Sequence, residues 1–264
     1  MRPLQPFWTL LFVSVCSLAF ADDSIRMIAH RGGVVTDSII ENNLAAIEAA
    51  VQRGYWMVEV DVRKSKDGVA VVHHDADFKR YYGDPRQVAD LTWDQISKLR
   101  ATPGNERPLT LAEYLQACDG RLRIMLDVKG GDLPESFVEA IEQSLREHQQ
   151  LQTTYVIGAS EVKQRLTGKA IVSMKYDQIV AAKNRGEDVS SRYFLFPRGM
   201  RFKAPEVQQG LELGVPVVPS INIFHYLGIN HKQRAKQDIE RLRNAGVTEF
   251  QIDSVYDQWL IDQP

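Results

Sequence analysis

Met57-Val-Glu-Val-Asp-Val-Arg63 is a strand with a different chemistry on each face. Successive side chains of an extended chain point to opposite sides, so Val58, Val60 and Val62 share one face while Glu59 and Asp61 share the other. The valines suit a layer of covering helices. The carboxylates, on the opposite side, sit close enough to repel unless a cation or a proton lies between them. A strand apolar outwards and acidic inwards at its end belongs to a parallel sheet whose carboxyl ends carry a site.

The rest of the chain repeats this unit. Further β-rich runs are expected at residues 26–30, 122–128, 154–158, 170–175, 192–196, 215–223 and 249–253. Helical patterns lie between them. Residues 42–53 place Leu44, Ile47 and Val51 on one side and end at Gly54. Residues 134–148 start on Pro134 and stripe Phe137, Ile141 and Leu145, and residues 232–245 close on Gly246. Eight strands with intervening helices predict a (β/α)8 TIM barrel, with an open doubly wound sheet as the alternative. Thr92-Trp-Asp-Gln95 and Thr110-Leu-Ala-Glu113 are capping boxes that start helices. Residues 64–108 form an enlarged loop after the second strand, of a length that usually serves function.

The amino terminus is set aside from the fold. Residues 7–20 are apolar apart from Thr9, Ser14 and Ser17, and Ala19-Phe20-Ala21 is a small-x-small cleavage pattern, so residues 1–21 are expected to be a signal peptide rather than a membrane anchor. Val15 before Cys16 is too bulky for lipoprotein processing. The barrel then occupies residues 22–264, exported to the periplasm or secreted. Loss of Arg2 leaves 31 basic residues against 34 acidic ones, a net charge of −3, which offers no electrostatic basis for binding nucleic acid. Cys118 is then a lone cysteine, expected to be a small buried hydrophobe. Oligomeric state is not legible.

Other strand ends supply complementary groups. Leu126-Asp-Val-Lys129 puts Asp127 and Lys129 on one face, so Asp127 would complete a three-carboxylate set with Glu59 and Asp61 for a hard cation, Mg²⁺ or Ca²⁺. Lys129 would aim an ammonium at a phosphate oxygen. Ile28-Ala-His30-Arg31-Gly32-Gly33 ends the first strand with an imidazole, a guanidinium able to grip phosphate by two parallel hydrogen bonds, and glycines that let a backbone come close. Val72-His73-His74-Asp75 offers two more imidazoles on opposite faces, of which one can face the site. Each of these pieces has a structural explanation on its own. Together they match what phosphodiester cleavage requires: a base for the attacking hydroxyl, an acid for the leaving oxygen and cations for the developing charge.

The order His30-Arg31-Gly32, Glu41-Asn42, Glu59-x-Asp61, His74-Asp75, Pro108-Leu-Thr-Leu-x-Glu113 and Asp127-x-Lys129 resembles the glycerophosphodiester phosphodiesterase family. The resemblance is densest from Ile28 to Lys129, and beyond it Asn222 and Asp253 stand where the family often carries Asn and Asp. It implies that His30 and His74 are the acid–base pair, which selects His74 over His73. It further implies that Arg31 and Lys129 bind phosphate, that Glu59, Asp61 and Asp127 hold one divalent metal, and that Glu41 supports the floor of the site. This chain departs from the family pattern in four places. Asp127 replaces a more common Glu, as in the related venom phospholipase D toxins, and Asn43 replaces a common Thr. The seventh strand lacks a tryptophan before Asn222, and Ile252-Asp-Ser-Val replaces Thr-Asp-x-Pro.

The expected activity is metal-dependent hydrolysis of a small-molecule glycerophosphodiester to glycerol phosphate and an alcohol, through a cyclic phosphate. The main rival is phospholipase D-like cleavage of a membrane-derived lysophospholipid or sphingolipid, which apolar loops containing Phe194, Phe196, Phe202, Phe224 and Tyr226 would favour. A binding protein without turnover would be expected to lack a histidine or a carboxylate of the set, and all are present.

Overall fold

The computed structural model describes residues 24–226 and 230–261. The expected signal peptide and Cys16 lie outside the described residues. Eight barrel strands occur in chain order: β1 (Arg26–Ala29), β2 (Met57–Lys64), β3 (Arg123–Val128), β4 (Tyr155–Gly158), β5 (Ile171–Ser173), β6 (Tyr193–Phe194), β7 (Ser220–Ile221) and β8 (Glu249–Ile252). Seven are followed by helices: α1 (Leu44–Gln52), α2 (Leu111–Cys118), α3 (Glu135–Glu147), α4 (Ser160–Leu166), α5 (Tyr176–Asn184), α6 (Ala204–Glu212) and α7 (His231–Asn244). A 3₁₀ segment, Ser254–Trp259, follows β8.

All barrel neighbours are parallel, in the order β6-β5-β4-β3-β2-β1-β8-β7. The ring closes through parallel bridges Leu195–Val217 and Arg198–Ser220, with Val218 N donating to Leu195 O at 2.8 Å and Ser220 N to Pro197 O at 2.9 Å. A sheet that pairs with itself in this way is a (β/α)8 barrel, as predicted, and the open-sheet alternative falls.

Alternation divides the core as expected. Val58, Val60 and Val62 join the outer cluster with Ile47 of α1, Leu115 of α2 and Ile141 of α3. Each such fully buried side chain contributes about 1.5–3 kcal/mol of transfer free energy. Inside the ring, Ile28, Met57, Met125, Tyr155, Ile157, Phe194 and Val218 form a separate plug. Glu59, Asp61, Asp127 and His30 lie further along their strands, above this plug.

Residues 64–108 form a small subdomain. Ala70–Val72 pairs antiparallel with β2, Leu109–Thr110 pairs with Ala70–Val72, and Asp77–Phe78 pairs with Asp84–Gln87. Val71, Phe78, Val88, Leu91 and Ile96 give it a core of its own. Both capping boxes are present, and at Thr110 the side chain accepts from Glu113 N at 3.2 Å while Glu113 Oε2 accepts from Thr110 N at 2.9 Å. Cys118 is fully buried and unpaired, and burial pushes its thiol up to about 12. No helix among the described residues is long and apolar enough to cross a membrane.

Candidate active site

Register brings the carboxylates together. β2 and β3 align Asp61 directly beside Asp127, and Glu59 precedes Asp61 by two on the same face. One ligand oxygen from each of the three lies within 4.8 Å of the others. Glu59 Oε2 accepts the Arg31 amide at 2.7 Å. Asp61 Oδ2 accepts Asn42 Nδ2 at 3.0 Å, and the buried Asp61 Oδ1 has the Lys129 ammonium 2.8 Å away. Lys129 Nζ also lies 2.5 Å from Asp127 Oδ2. Lys129 is therefore held between two carboxylates.

Burial, then the charges of Asp61 and Asp127, raise Glu59 well above the usual carboxylate range. At Asp61 burial pushes the same way, but Lys129, His74 and the Asn42 hydrogen bond outweigh it and its pKa is lowered. Asp127 is raised, burial dominating over Lys129. Three carboxylates this close beside a single ammonium ask for a proton or another cation. An all-oxygen donor set of three carboxylates within one ion's reach fits a hard divalent ion.

His30 closes β1, with Nδ1 at 2.6 Å from Asp253 Oδ1 and the ring largely buried. Asp253 Oδ2 accepts the Ile223 amide at 2.6 Å. Burial disfavours the charged carboxylate, yet the His30 hydrogen bond and charge, the Ile223 amide and Arg31 hold Asp253 below its usual range. An ionised carboxylate only accepts, so His30 Nδ1 carries a proton and Nε2 is the nitrogen left for a substrate.

The adjacent histidines separate as their alternation required. His73 is buried, donates from Nε2 to Asp77 O at 2.7 Å and stacks on Phe78 at 4.5 Å between centroids. Burial lowers its pKa. His74 is part-exposed, with Nδ1 2.8 Å from Asp75 Oδ1, and its backbone oxygen accepts Arg63 Nε at 2.8 Å. One ring nitrogen of His74 and one carboxylate oxygen each of Glu41 and Asp75 lie within 4.8 Å of one another.

Glu41 belongs to a second cluster. Its carboxylate takes Arg31 Nη1 at 2.9 Å and Arg80 Nη2 at 2.5 Å, while Arg80 Nε reaches Asp75 Oδ2 at 2.6 Å. Burial notwithstanding, Arg80 and His74 hold Asp75 down to about 2. Arg80 carried no sequence signal, because it sits on a four-residue helix inside the subdomain. Asp253 was noticed only through the resemblance. Asn43, the departure from Thr, performs a cap: its Oδ1 accepts Ala46 N at 2.8 Å.

The glycines approach this chain's own backbone. A Cβ on Gly32 would lie 2.6 Å from Asn42 Cα, and one on Gly33 would lie 2.3 Å from Ala46 O, with both at positive φ. Of the aromatic residues in the apolar loops, Phe194 and Tyr226 are core residues, and Phe224 is exposed beside His30 at 6.0 Å between ring centroids. Two cavities flank the site. One, about 330 Å³, is lined by His30, Arg31, Glu41, Arg80, Phe224 and Asp253. The other, about 810 Å³, opens at Asp127 and Gly158.

Residues 30–205, well over half of the chain, match the model of the glycerophosphoryl diester phosphodiesterase family. The chain belongs to that family. Human (Homo sapiens) glycerophosphodiester phosphodiesterase 1 is 34% identical over 144 residues, which is 51% of this chain and 42% of that protein. Lysophospholipase D GDPD1 of Rattus norvegicus is 41% identical over 71 residues, 27% of this chain and 22% of that protein. The chain thus spans about half or less of the length of the curated relatives it matches. Among solved structures, an Oleispira antarctica phosphodiesterase in complex with the product sn-glycerol-3-phosphate is similar at TM-score 0.69 and 21% identity, covering 90% of this chain and 97% of that one. This likeness supports the barrel fold.

Proposed function

We propose that the chain hydrolyses a glycerophosphodiester to glycerol phosphate and an alcohol, as a metal-dependent phosphoric diester hydrolase acting outside the cytoplasm. One observation carries the reading: the His30–Asp253 pair and the Glu59, Asp61 and Asp127 cluster share one barrel mouth, joined by the Arg31 amide on Glu59. The three carboxylates would hold Mg²⁺ or Ca²⁺, which supplies positive charge against the phosphoryl oxygens.

The remaining work falls to side chains. Nε2 of His30 takes the proton of the glycerol hydroxyl next to the phosphoester, whose oxygen then attacks phosphorus. His74, oriented by Asp75, gives a proton to the leaving oxygen. The cyclic phosphate so formed is opened by water with the roles reversed. Arg31 offers guanidinium N–H groups beyond the one that binds Glu41, while Arg80, whose N–H groups go to Glu41, Asp75 and Tyr81, holds Glu41 at the cavity wall. Lys129 balances the carboxylates and stands next to the same phosphate. The test is incubation of the mature protein with glycerophosphocholine and with a lysolipid, with and without divalent metal, and identification of the products. Release of choline and glycerol phosphate only with metal supports the reading, and turnover of neither substrate overturns it.

A second reading, lysophospholipase D-like cleavage, has one specific support. Ile223 and Phe224, 41% and 48% exposed, stand at the cavity that holds His30, where an acyl chain on the glycerol could lie. The rat relative named above is consistent with it.

A further inference from the structure

The two cavities divide the barrel mouth. The smaller draws on segments after β1, β2, β7 and β8, and the larger on segments after β3 to β6, with the carboxylate cluster between them. A phosphodiester has two arms meeting at phosphorus, so a site of this shape accommodates one arm on each side. The smaller cavity, with His30 in its wall, suits the glycerol arm whose hydroxyl must be deprotonated.

The walls of the larger cavity are apolar for most of their extent, through Ile157, Met174, Leu195, Phe196 and Phe202. Two ammonium groups interrupt them. Lys163, on α4, is part-buried and has no ion-pair partner among the described residues. Burial lowers its pKa, with no compensating charge acting on it. Lys175 is exposed at the rim and likewise forms no ion pair among the described residues. Elsewhere at the mouth, Arg31, Arg80 and Lys129 each bind a carboxylate, and Arg63 donates to the His74 carbonyl. Of the two acids at this cavity, Asp127 binds Lys129, and Glu206 is exposed, accepts the Lys203 amide at 2.7 Å and forms no ion pair among the described residues. An ammonium half-withdrawn from water without a counter-charge is costly, and an anionic ligand relieves that cost.

We propose that the cavity beside Asp127 receives the leaving alcohol of the phosphodiester, and that Lys163, with Lys175 at the rim, selects alcohols bearing a negatively charged group over those bearing a quaternary ammonium. This rests on the phosphodiesterase reading and adds its substrate class. A carboxylate or phosphate on the alcohol would replace water on Lys163, while a trimethylammonium would meet two like charges.

The experiment uses the full chain with divalent metal and three glycerol phosphodiesters, of 4-hydroxybutanoate, of 1-butanol and of choline. The expected order of kcat/KM is anionic above neutral above cationic, with about tenfold or more between the extremes, the size of one charge-assisted hydrogen bond. Lys163→Met keeps the apolar stem and should collapse the anionic-to-cationic ratio by a similar factor, and Lys163→Arg should restore it. The wild-type series stands as a test even if Lys163→Met fails to fold. A choline ester turned over fastest, or a ratio unmoved by Lys163→Met, overturns the pocket assignment alone. Hydrolysis of none of the three overturns the phosphodiesterase reading together with the proposal.

Discussion

Asp253→Asn is the sharpest probe of the His30 assignment, because the structure dictates which way the new amide must face. Asp253 Oδ2 accepts the Ile223 amide at 2.6 Å, and Oδ1 faces His30 Nδ1, also at 2.6 Å. In the variant the amide oxygen must stay on Ile223 N–H, since an NH₂ there would set donor against donor. The NH₂ then faces His30 Nδ1 and forces that nitrogen to accept, leaving the proton on Nε2, where the substrate proton should go. His30 becomes the wrong tautomer for a base. Loss of a positioned base of this kind costs roughly 10²–10⁴-fold in kcat, or about 3–5 kcal/mol of barrier. Asp253→Ala removes the carboxylate without imposing a tautomer, so it should be impaired less than Asp253→Asn. Steady-state kinetics on glycerophosphocholine, with thermal melts of all three proteins, make the comparison. Asp253→Asn retaining half of wild-type kcat, or losing it only in step with unfolding, would refute the reasoning.

Further predictions concern the carboxylates, the neighbouring histidines and the reaction course. Glu59→Ala or Asp61→Ala should abolish activity with the fold largely intact, and a divalent ion should raise the melting temperature of wild type but not of either variant; full activity after exhaustive chelation would sink the metal role. His74→Ala should lose about 10²-fold or more in turnover, whereas His73→Ala, which removes a buried donor and a stacked ring, should lower the melting temperature first. Equal kinetic losses at unchanged stability would show the facing to be wrong. Asp75, held down to about 2, contributes stability that is present above the unfolded carboxylate range near about 4 and lost as pH falls towards about 2. Removing its guanidinium partner in Arg80→Met should therefore move acid unfolding to higher pH in circular dichroism, and an unmoved midpoint would contradict the pairing. A neighbouring hydroxyl as nucleophile predicts a cyclic phosphate by phosphorus NMR and slow turnover of a bis-alkyl phosphate lacking that hydroxyl; rapid hydrolysis of the latter without any cyclic species favours direct attack by water.

What could be read from the chain followed its periodicities. Glu59, Asp61 and Asp127 were legible because strand alternation has a period of two and decides which side chains share a face. The barrel was legible because each strand is followed by a segment of helical period. Period fails where backbone is irregular. Arg80 sits in a subdomain of two- to four-residue elements, too short to show any repeat. Ile223–Tyr226 is a 3₁₀ turn, so nothing in the order Phe224-His-Tyr226 distinguished the exposed Phe224 from the buried Tyr226. Asp253 follows β8 with apolar neighbours on one side, and its partner His30 lies 223 residues away. Only closure of the barrel makes them neighbours.

Closure also explains why the glycines and Asn42 matter to chemistry they do not touch. The loop after β1 turns through Arg31 at φ 58°, and Asn42 adopts φ 57°, two positive-φ residues outside glycine in one connection. The Arg31 carbonyl accepts the Asn42 amide at 2.9 Å, and Gly32 lets the two backbones meet. Asn42 then fixes Asp61 through two hydrogen bonds, one from its side chain to the Asp61 carboxylate and one from the Asp61 amide to its own oxygen. On the opposite flank Gly158, at φ +82°, leaves room for Asp127, whose Oδ1 would lie 2.3 Å from any Cβ placed there. The three carboxylates repel one another and cannot hold this geometry unaided. The strain in the β1 loop and the missing side chain at the end of β4 hold two of them, Asp61 and Asp127, from outside. A Gly32→Ala or Gly158→Ala change would therefore act on the cluster through Asn42 or Asp127, although neither glycine has a side chain to offer a substrate.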